Sequence, residues 1–257
     1  MFSASTSSSV SAAAVRPDPR AGVFETMLVL GGRPLELDAH LARLDASLRT
    51  LFGDPAPAAV RELVVDHARP AGLARLRLTV APAGGGLAPE VAVAPINGSL
   101  VLPAWERAVE LAPVVVAGGL GPHKWADRRL LAAAESDVAP RVPLLVDGDG
   151  TVLEASRGNL VAVFDGVLVT PPTDGRILPG VTRRRVLSLA AELGIGIREE
   201  AVLLERLGEA TEVFLTGAVR GIEPVRGWDG VLTGSEQLVT PLLSHALRRH
   251  WRSAHDR

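Results

Sequence analysis

The 257-residue chain has no cysteine, no tyrosine and, among its 27 basic residues, a single lysine, Lys124. Without cysteine there are no disulfides and no thiolate chemistry, and a reducing cytoplasm is the expected setting. Without tyrosine, no phenol can act on a substrate or shape a pocket. The shortage of lysine has a different consequence. Arginine serves as well as lysine for a solubilising charge, but it does not lose its proton near neutral pH and attack a carbonyl. A chemistry that needs an amine nucleophile has one side chain to use here; a drift toward arginine codons would leave the same lone lysine idle.

Other absences narrow the function classes. No apolar run reaches the ~18–20 residues of a membrane span. A net charge of −2 gives no basic footprint for nucleic acid or an anionic membrane. Six histidines show no His-x-x-x-His spacing, so no metal site is expected. Gly84-Gly85-Gly86 opens no helix and reads as a flexible loop, not a nucleotide fingerprint. Trp105, Trp125, Trp228 and Trp251 are too scattered for a stacking surface.

What is present suits a globular α/β protein. The hydrophobic fraction is 47%, enough for a sizeable core, and the length fits one large domain or two modest ones. Residues 1–21 are rich in Ser and Ala and read as a disordered tail with no signal-peptide pattern. A small α/β domain is expected over 22–94. It opens with a strand Val23–Leu30, a Gly31-Gly32 turn and a strand Arg33–Leu37. Asp38 follows as N-cap of a helix carrying Leu41, Leu44, Leu48 and Leu51 and ending at Gly53. A second helix runs from Pro57 to His67, and strands cover Arg75–Ala81 and Glu90–Ala94.

Residues 95–104 read as a linker or a plain loop, and 105–257 as a larger domain. Its expected elements are a strand Arg107–Ala117, a helix Trp125–Ala134, and strands at Pro143–Asp147, Val152–Glu154, Asn159–Phe164 and Val167–Thr170. A helix then opens at Leu178-Pro179-Gly180-Val181-Thr182 and ends at Gly194. A strand Thr211–Leu215 and an amphipathic helix from Ser235 to Trp251 complete the chain. Arg183-Arg184-Arg185 reads as the solvated face of its helix.

Pyridoxal phosphate (PLP) asks a protein for an amine, a carboxylate at its ring nitrogen and donors for a phosphate dianion. Lys124 offers the amine. Glu154, at a strand end, offers the carboxylate, which would keep the ring a strong electron sink. The N–H groups of Val181 and Thr182 open a helix and suit an anion, with the Thr182 hydroxyl beside them. Gly217-Ala218-Val219 offers further backbone donors, and Arg43 a charge. Composition and spacing allow such a site without identifying it.

The order of these segments goes further. Gly22-Val23-Phe24-Glu25-Thr26, His40-Leu41-Ala42-Arg43-Leu44, Lys124, Val152-Leu153-Glu154 with Gly158-Asn159-Leu160, Ile177-Leu178-Pro179-Gly180-Val181-Thr182-Arg183 and Glu212-Val213-Phe214-Leu215-Thr216-Gly217 follow one another over residues 22 to about 225. In this the chain resembles the fold-type IV PLP enzymes, which include branched-chain and D-amino-acid aminotransferases and 4-amino-4-deoxychorismate lyase. The resemblance implies a two-domain α/β (α+β) fold with the cofactor in the cleft, and a homodimer whose partner borders the site. It implies Lys124 as the Schiff-base lysine and proton shuttle, with Thr26 beside it as a catalytic residue. Arg43, Glu154, Asn159, Val181, Thr182 and Ala218 fall to cofactor binding, with Val219 adjacent and Glu25 and Thr26 on the substrate side. His123 reads as a positioning residue.

Departures refine the choice within the family. The segment before Phe24 lacks the usual Gly-Asp-Gly, which implies a shortened first strand. Ala218 replaces a site threonine, and Pro82-Ala83 stands where relatives carry an arginine. The lack of tyrosine, Trp125-Ala126-Asp127-Arg128 after the lysine and the Phe24-Glu25-Thr26 run resemble the lyase more than the transaminases. The expected reaction is conversion of 4-amino-4-deoxychorismate to 4-aminobenzoate and pyruvate, as in folate biosynthesis. The alternatives are an aminotransferase using branched-chain or D-amino acids with 2-oxoglutarate, or a binding protein that has lost the cofactor.

Overall fold

The computed structural model describes residues 16–234 and 237–255; residues 1–15 of the expected tail lie outside them. Two sheets organise the chain. The first is built from β1 (Val23–Leu30), β2 (Arg33–Pro34), β3 (Leu73–Ala83) and β4 (Gly86–Pro95), in the order β2-β1-β3-β4 and antiparallel throughout. Helices α1 (Leu37–Phe52) and α2 (Val60–Ala68) cover one face. Strand side chains alternate between faces, and that alternation places the chemistry. Val23, Met27 and Val29 of β1 and Leu76, Leu78 and Val80 of β3 pack with Leu44, Leu48 and Val64 of the helices. Phe24, Thr26, Arg75 and Arg77 are left on the opposite face, toward the second sheet.

β1 pairs with β3 over all eight of its residues. Gly84-Gly85, expected to be a flexible loop, is a two-residue turn between β3 and β4, with Ala83 opposite Gly86. Both glycines have positive φ, +56° and +88°, the combination that a tight hairpin of this hand requires. Asp38 does not cap α1. Glu36 holds that position at φ +53°, its carboxylate accepting from Arg185 at 2.8 Å and paired with His250 at 2.9 Å; Asp38 sits in the first turn.

The second sheet begins after a stretch that packs closely. Leu102 is buried and donates its N–H to the Arg220 carbonyl, so residues 95–104 are seated on the core. Next come β5 (Val109–Val115), α3 (Arg129–Val138), β6 (Val142–Val146), β7 (Val152–Ala155), β8 (Gly158–Phe164), β9 (Val167–Thr170) and α4 (Val181–Glu192). β10 (Ile197–Glu199), α5 (Leu204–Leu207), β11 (Glu212–Gly217), β12 (Gly221–Trp228), β13 (Val231–Leu232) and α6 (Val239–His255) complete it. The strand order is β10-β9-β8-β11-β12-β5-β6-β7, and β7 pairs in turn with β8. Six strands thus close into a ring. Leu160, Ala162, Val213 and Leu215 pack with Leu111, Leu144 and Val225 on one face, while Val161, Val163 and Phe214 meet α4 and α6 on the other.

Several expected boundaries move for identifiable reasons. The helix expected from Trp125 starts at Arg129, because Trp125 bridges to Val23 and Ala126 donates to the Gly22 carbonyl. The last helix starts at Val239, where the carboxylate of Glu212 accepts the N–H groups of Leu238, Val239 and Thr240 at 2.7–2.8 Å. Arg183 is not solvated: it is 5% exposed and donates to Thr170 Oγ1, the Pro171 carbonyl and Glu199. Arg16 and Asp18, read as tail, are tied to the Gly119 carbonyl and the Asp127 carboxylate. Among the described residues, no helix is long and apolar enough to cross a membrane.

Candidate active site

A cavity of about 570 Å³ opens between the two sheets. Lys124 enters it from the segment joining β5 to α3. That segment is held to the start of β1 by two backbone bonds: the Phe24 N–H donates to the Lys124 carbonyl at 2.8 Å, and the Ala126 N–H to the Gly22 carbonyl at 3.0 Å. The lysine Nζ lies 4.7 Å from the centre of the Phe24 ring. Burial, then the charge of Arg43, lower its pKa to about 8 against the pull of Glu25. A buried amine of this kind, still mostly protonated at physiological pH, holds a far larger neutral fraction than an ordinary lysine.

Glu154 faces the cavity from the end of β7. Its carboxylate accepts from the Asn159 Nδ2 at 3.1 Å and from the Leu178 N–H at 3.3 Å. Asn159 also donates to the Leu178 carbonyl at 2.9 Å, so one side chain fixes both the acid and the approach to α4. Burial raises the Glu154 pKa to about 7, outweighing the Leu178 N–H and the charges of Lys124 and Arg43. At the start of α4, Gly180 provides no side-chain cap, and a Cβ there would run into Asn159 Oδ1. Val181 and Thr182, whose N–H groups open α4, border the cavity, as does the turn Gly217-Ala218-Val219.

Arg43 reaches the cavity from α1 and donates to the Pro179 carbonyl at 3.0 Å. It is braced by Glu25, which accepts from its Nε at 2.8 Å and Nη2 at 2.6 Å and pairs with His40 at 2.7 Å. Glu25 therefore does not face substrate. It is 1% exposed, on the helix-covered face of β1 with Val23 and Met27, and Arg43 and His40 hold its pKa down to about 2 despite its burial. Thr26, one residue on, faces the cavity as expected. Lys124, Thr26, Arg43, Glu154, Asn159, Val181, Thr182, Ala218 and Val219 thus share one cavity; Glu25 is the one expected site residue outside it.

Residues 22–228 match the family described as amino-transferase class IV. The chain belongs to the class IV aminotransferases. Enzymes of this family depend on PLP, and its lyase and transaminase members share the fold seen here. Branched-chain-amino-acid aminotransferase of Escherichia coli K12 is 44% identical over 91 residues, 35% of this chain and 29% of that protein; the chain thus matches under a third of that relative's length. Among solved structures, 4-amino-4-deoxychorismate lyase from Pseudomonas aeruginosa superimposes with a TM-score of 0.76 at 27% identity, covering 92% of this chain and 94% of the other. The PLP-bound form of a hypothetical aminotransferase from Mycobacterium tuberculosis gives 0.78 at 23% identity, covering 88% and 87%.

The cavity of this class IV aminotransferase is rich in cations. Arg75 and Arg77 line it from β3, and the Arg77 guanidinium lies 3.9 Å over the Phe24 ring. Neither makes a side-chain hydrogen bond among the described residues. Burial and the nearby charges of Arg128 and Arg75 press the Arg77 pKa below its ordinary value. Sequence reasoning passed over both arginines, although Arg75 and Arg77 alternate with buried Leu76 and Leu78 and so share the face of β3 away from the helices. His123, the expected positioning residue, pairs its Nδ1 with Ser47 of α1 at 3.0 Å and stands edge-on to Trp125.

Proposed function

We propose that this class IV enzyme is a PLP-dependent lyase that converts 4-amino-4-deoxychorismate to 4-aminobenzoate and pyruvate. The observation that carries the reading is the pair of arginines without a carboxylate partner among the described residues, Arg75 and Arg77, facing the same cavity as Lys124. They suit a substrate bearing more than one carboxylate, as this one does. The overlap with the Pseudomonas aeruginosa lyase over nearly the whole of both chains agrees with it.

The residues present fit PLP. The uncapped start of α4, with Val181 and Thr182, joins Arg43 and the Ala218 turn as a phosphate cradle. Glu154, fixed by Asn159, would take the pyridine nitrogen, whose positive charge offsets the burial that raises its pKa. When bound, PLP supplies an aldehyde for the substrate amine and a ring that withdraws electrons. Lys124 Nζ removes the proton from the substrate carbon bearing nitrogen. The enolpyruvyl group leaves as an enolate while the ring becomes aromatic, and the proton that Lys124 took is returned to that enolate to give pyruvate, so no amino acceptor is needed. Thr26 lines the same cavity as Lys124. A homodimer in the cytoplasm is the expected setting.

The 44% match to the Escherichia coli aminotransferase favours a second reading, amino-group transfer from a small amino acid to 2-oxoglutarate. One experiment separates the two. Purified protein is loaded with PLP and given 4-amino-4-deoxychorismate, and 4-aminobenzoate fluorescence and pyruvate are measured. Equal yields of both support the lyase. Glutamate formation from amino acid and 2-oxoglutarate, with no 4-aminobenzoate, would establish the transaminase. A protein that takes up no PLP would belong to the cofactor-free alternative.

A further inference from the structure

A second group of cations stands on the other wall of the cavity. The turns between β7 and β8 and between β11 and β12 nest against each other: a Cβ on Gly158 would meet the Thr216 carbonyl oxygen at 2.5 Å, and one on Gly217 the Arg157 carbonyl oxygen at 3.2 Å. This close approach brings Arg157 of one turn and Arg220 of the other to a single carboxylate, Glu223 of β12, which is 3% exposed. Arg157 is fully engaged, donating through Nε at 3.0 Å and Nη2 at 2.6 Å. Arg220 is not. It has only a 3.4 Å ion pair with Glu223 and makes no side-chain hydrogen bond among the described residues.

One carboxylate between two guanidinium groups leaves a net positive charge. Burial, and the like charge of Arg157 against the pull of Glu223, hold the Arg220 pKa below its ordinary value. A separate observation lies beside it. Ser156, also bordering the cavity, has a buried Oγ without a hydrogen-bond partner, and Arg128 reaches the Ser156 carbonyl at 3.4 Å. Buried hydroxyls are usually satisfied, so this turn carries an unmet polar group next to Arg157.

We propose that Arg220, held in place by Glu223 and Arg157, binds a second carboxylate of the substrate and is a specificity-determining residue for dicarboxylates. This deepens the lyase reading and rests on a substrate occupying the same cavity. Arg75 and Arg77 take one carboxylate from the small sheet; Arg220 takes the other from the ring. The substrate is gripped from both sheets at once.

The test uses the PLP-loaded enzyme and two probes of equal length, glutarate and pentanoate, with binding measured by calorimetry. Wild type should bind glutarate at least tenfold more tightly than pentanoate. In Arg220→Gln the glutarate affinity should fall about tenfold, the expected size for losing one charge-assisted contact, while pentanoate changes less than twofold. Arg220→Lys should restore part of the preference. Arg157→Gln, made in parallel, should move the preference the same way and answers the question if Arg220→Gln does not fold. Equal loss for both probes, or no loss, would overturn the proposal. If the glutarate preference depends on Arg220 but no 4-aminobenzoate forms, the lyase reading falls and the anion site stands.

Discussion

Phe24 holds Lys124 twice: its N–H donates to the lysine carbonyl at 2.8 Å, and its ring lies 4.7 Å from the lysine Nζ. The first contact fixes where the amine starts and the second where it ends. Phe24→Leu keeps the backbone bond and removes the ring, so PLP should still load while kcat drops several-fold. Lys124→Arg keeps the charge and removes the nucleophile. It should show no covalently retained PLP after dialysis and at least a thousandfold loss of turnover. Retained turnover in Lys124→Arg would remove the lysine from the mechanism.

PLP capture should depend on pH through this amine. Lys124 has its pKa lowered to about 8, so the neutral, reactive form grows as pH rises from 7 to 9. The rate of PLP loading onto apo-protein, followed by the visible band, should rise about tenfold per unit below pH 8 and level off above it. A rate flat across that range would contradict the assignment.

Glu154 makes an opposite prediction for stability. Its folded pKa is raised to about 7 from 4.5, so between those values the folded state binds more protons than the unfolded one. Stability contributed by this group is full below about pH 4.5 and is lost as pH rises through 7. In apo-protein, Glu154→Gln should therefore raise Tm at pH 8 and leave it nearly unchanged at pH 4.5, while abolishing activity of the loaded enzyme. Thermal melts at the two pH values decide the matter.

Gly180→Ala should disable the phosphate cradle. Its Cβ would collide with Asn159 Oδ1, displacing the side chain that fixes both Glu154 and Leu178. PLP affinity should fall at least tenfold in a protein whose circular dichroism is unchanged. Unaltered affinity would show that the start of α4 has room to shift.

Arg183→Met should destabilise the fold by about 2 kcal/mol, the cost of leaving buried acceptors unpaired. Thr170 Oγ1 and the Pro171 carbonyl would lose their donor. Urea denaturation measures it, and a variant as stable as wild type would mean that solvent reaches these groups.

The contrast between Arg183 and Arg77 shows what the sequence could reveal. Arg77 was legible: Arg75 and Arg77 alternate with apolar Leu76 and Leu78, and period-two alternation assigns a face without knowledge of the rest of the fold. Arg183 was not. Its acceptors, Thr170 at the end of β9, Pro171 just after it and Glu199 on the three-residue strand β10, are brought to it by the tertiary fold and leave no periodic signal. Glu25 shows the same limit in another form. The resemblance brought Lys124, Glu154 and Thr182 into one cavity, but alternation along β1 turned Glu25 toward His40 and Arg43. The closing of six strands into a ring had no local signature, because it rests on β7 pairing with both β6 and β8.

That closure has a consequence for how the molecule breathes. Glu154, Asn159 and the Ala218 turn all belong to the ring, where β8 and β11 are bonded along both edges. Lys124 belongs to a loop clipped to β1 of the other sheet by two backbone bonds. In amide exchange, β8 and β11 should be among the last segments to take up deuterium, and the 124–126 loop should exchange earlier, with the small sheet. The half of the site that carries the acid would outlast the half that carries the amine, so a partial opening would separate them while the ring stays folded.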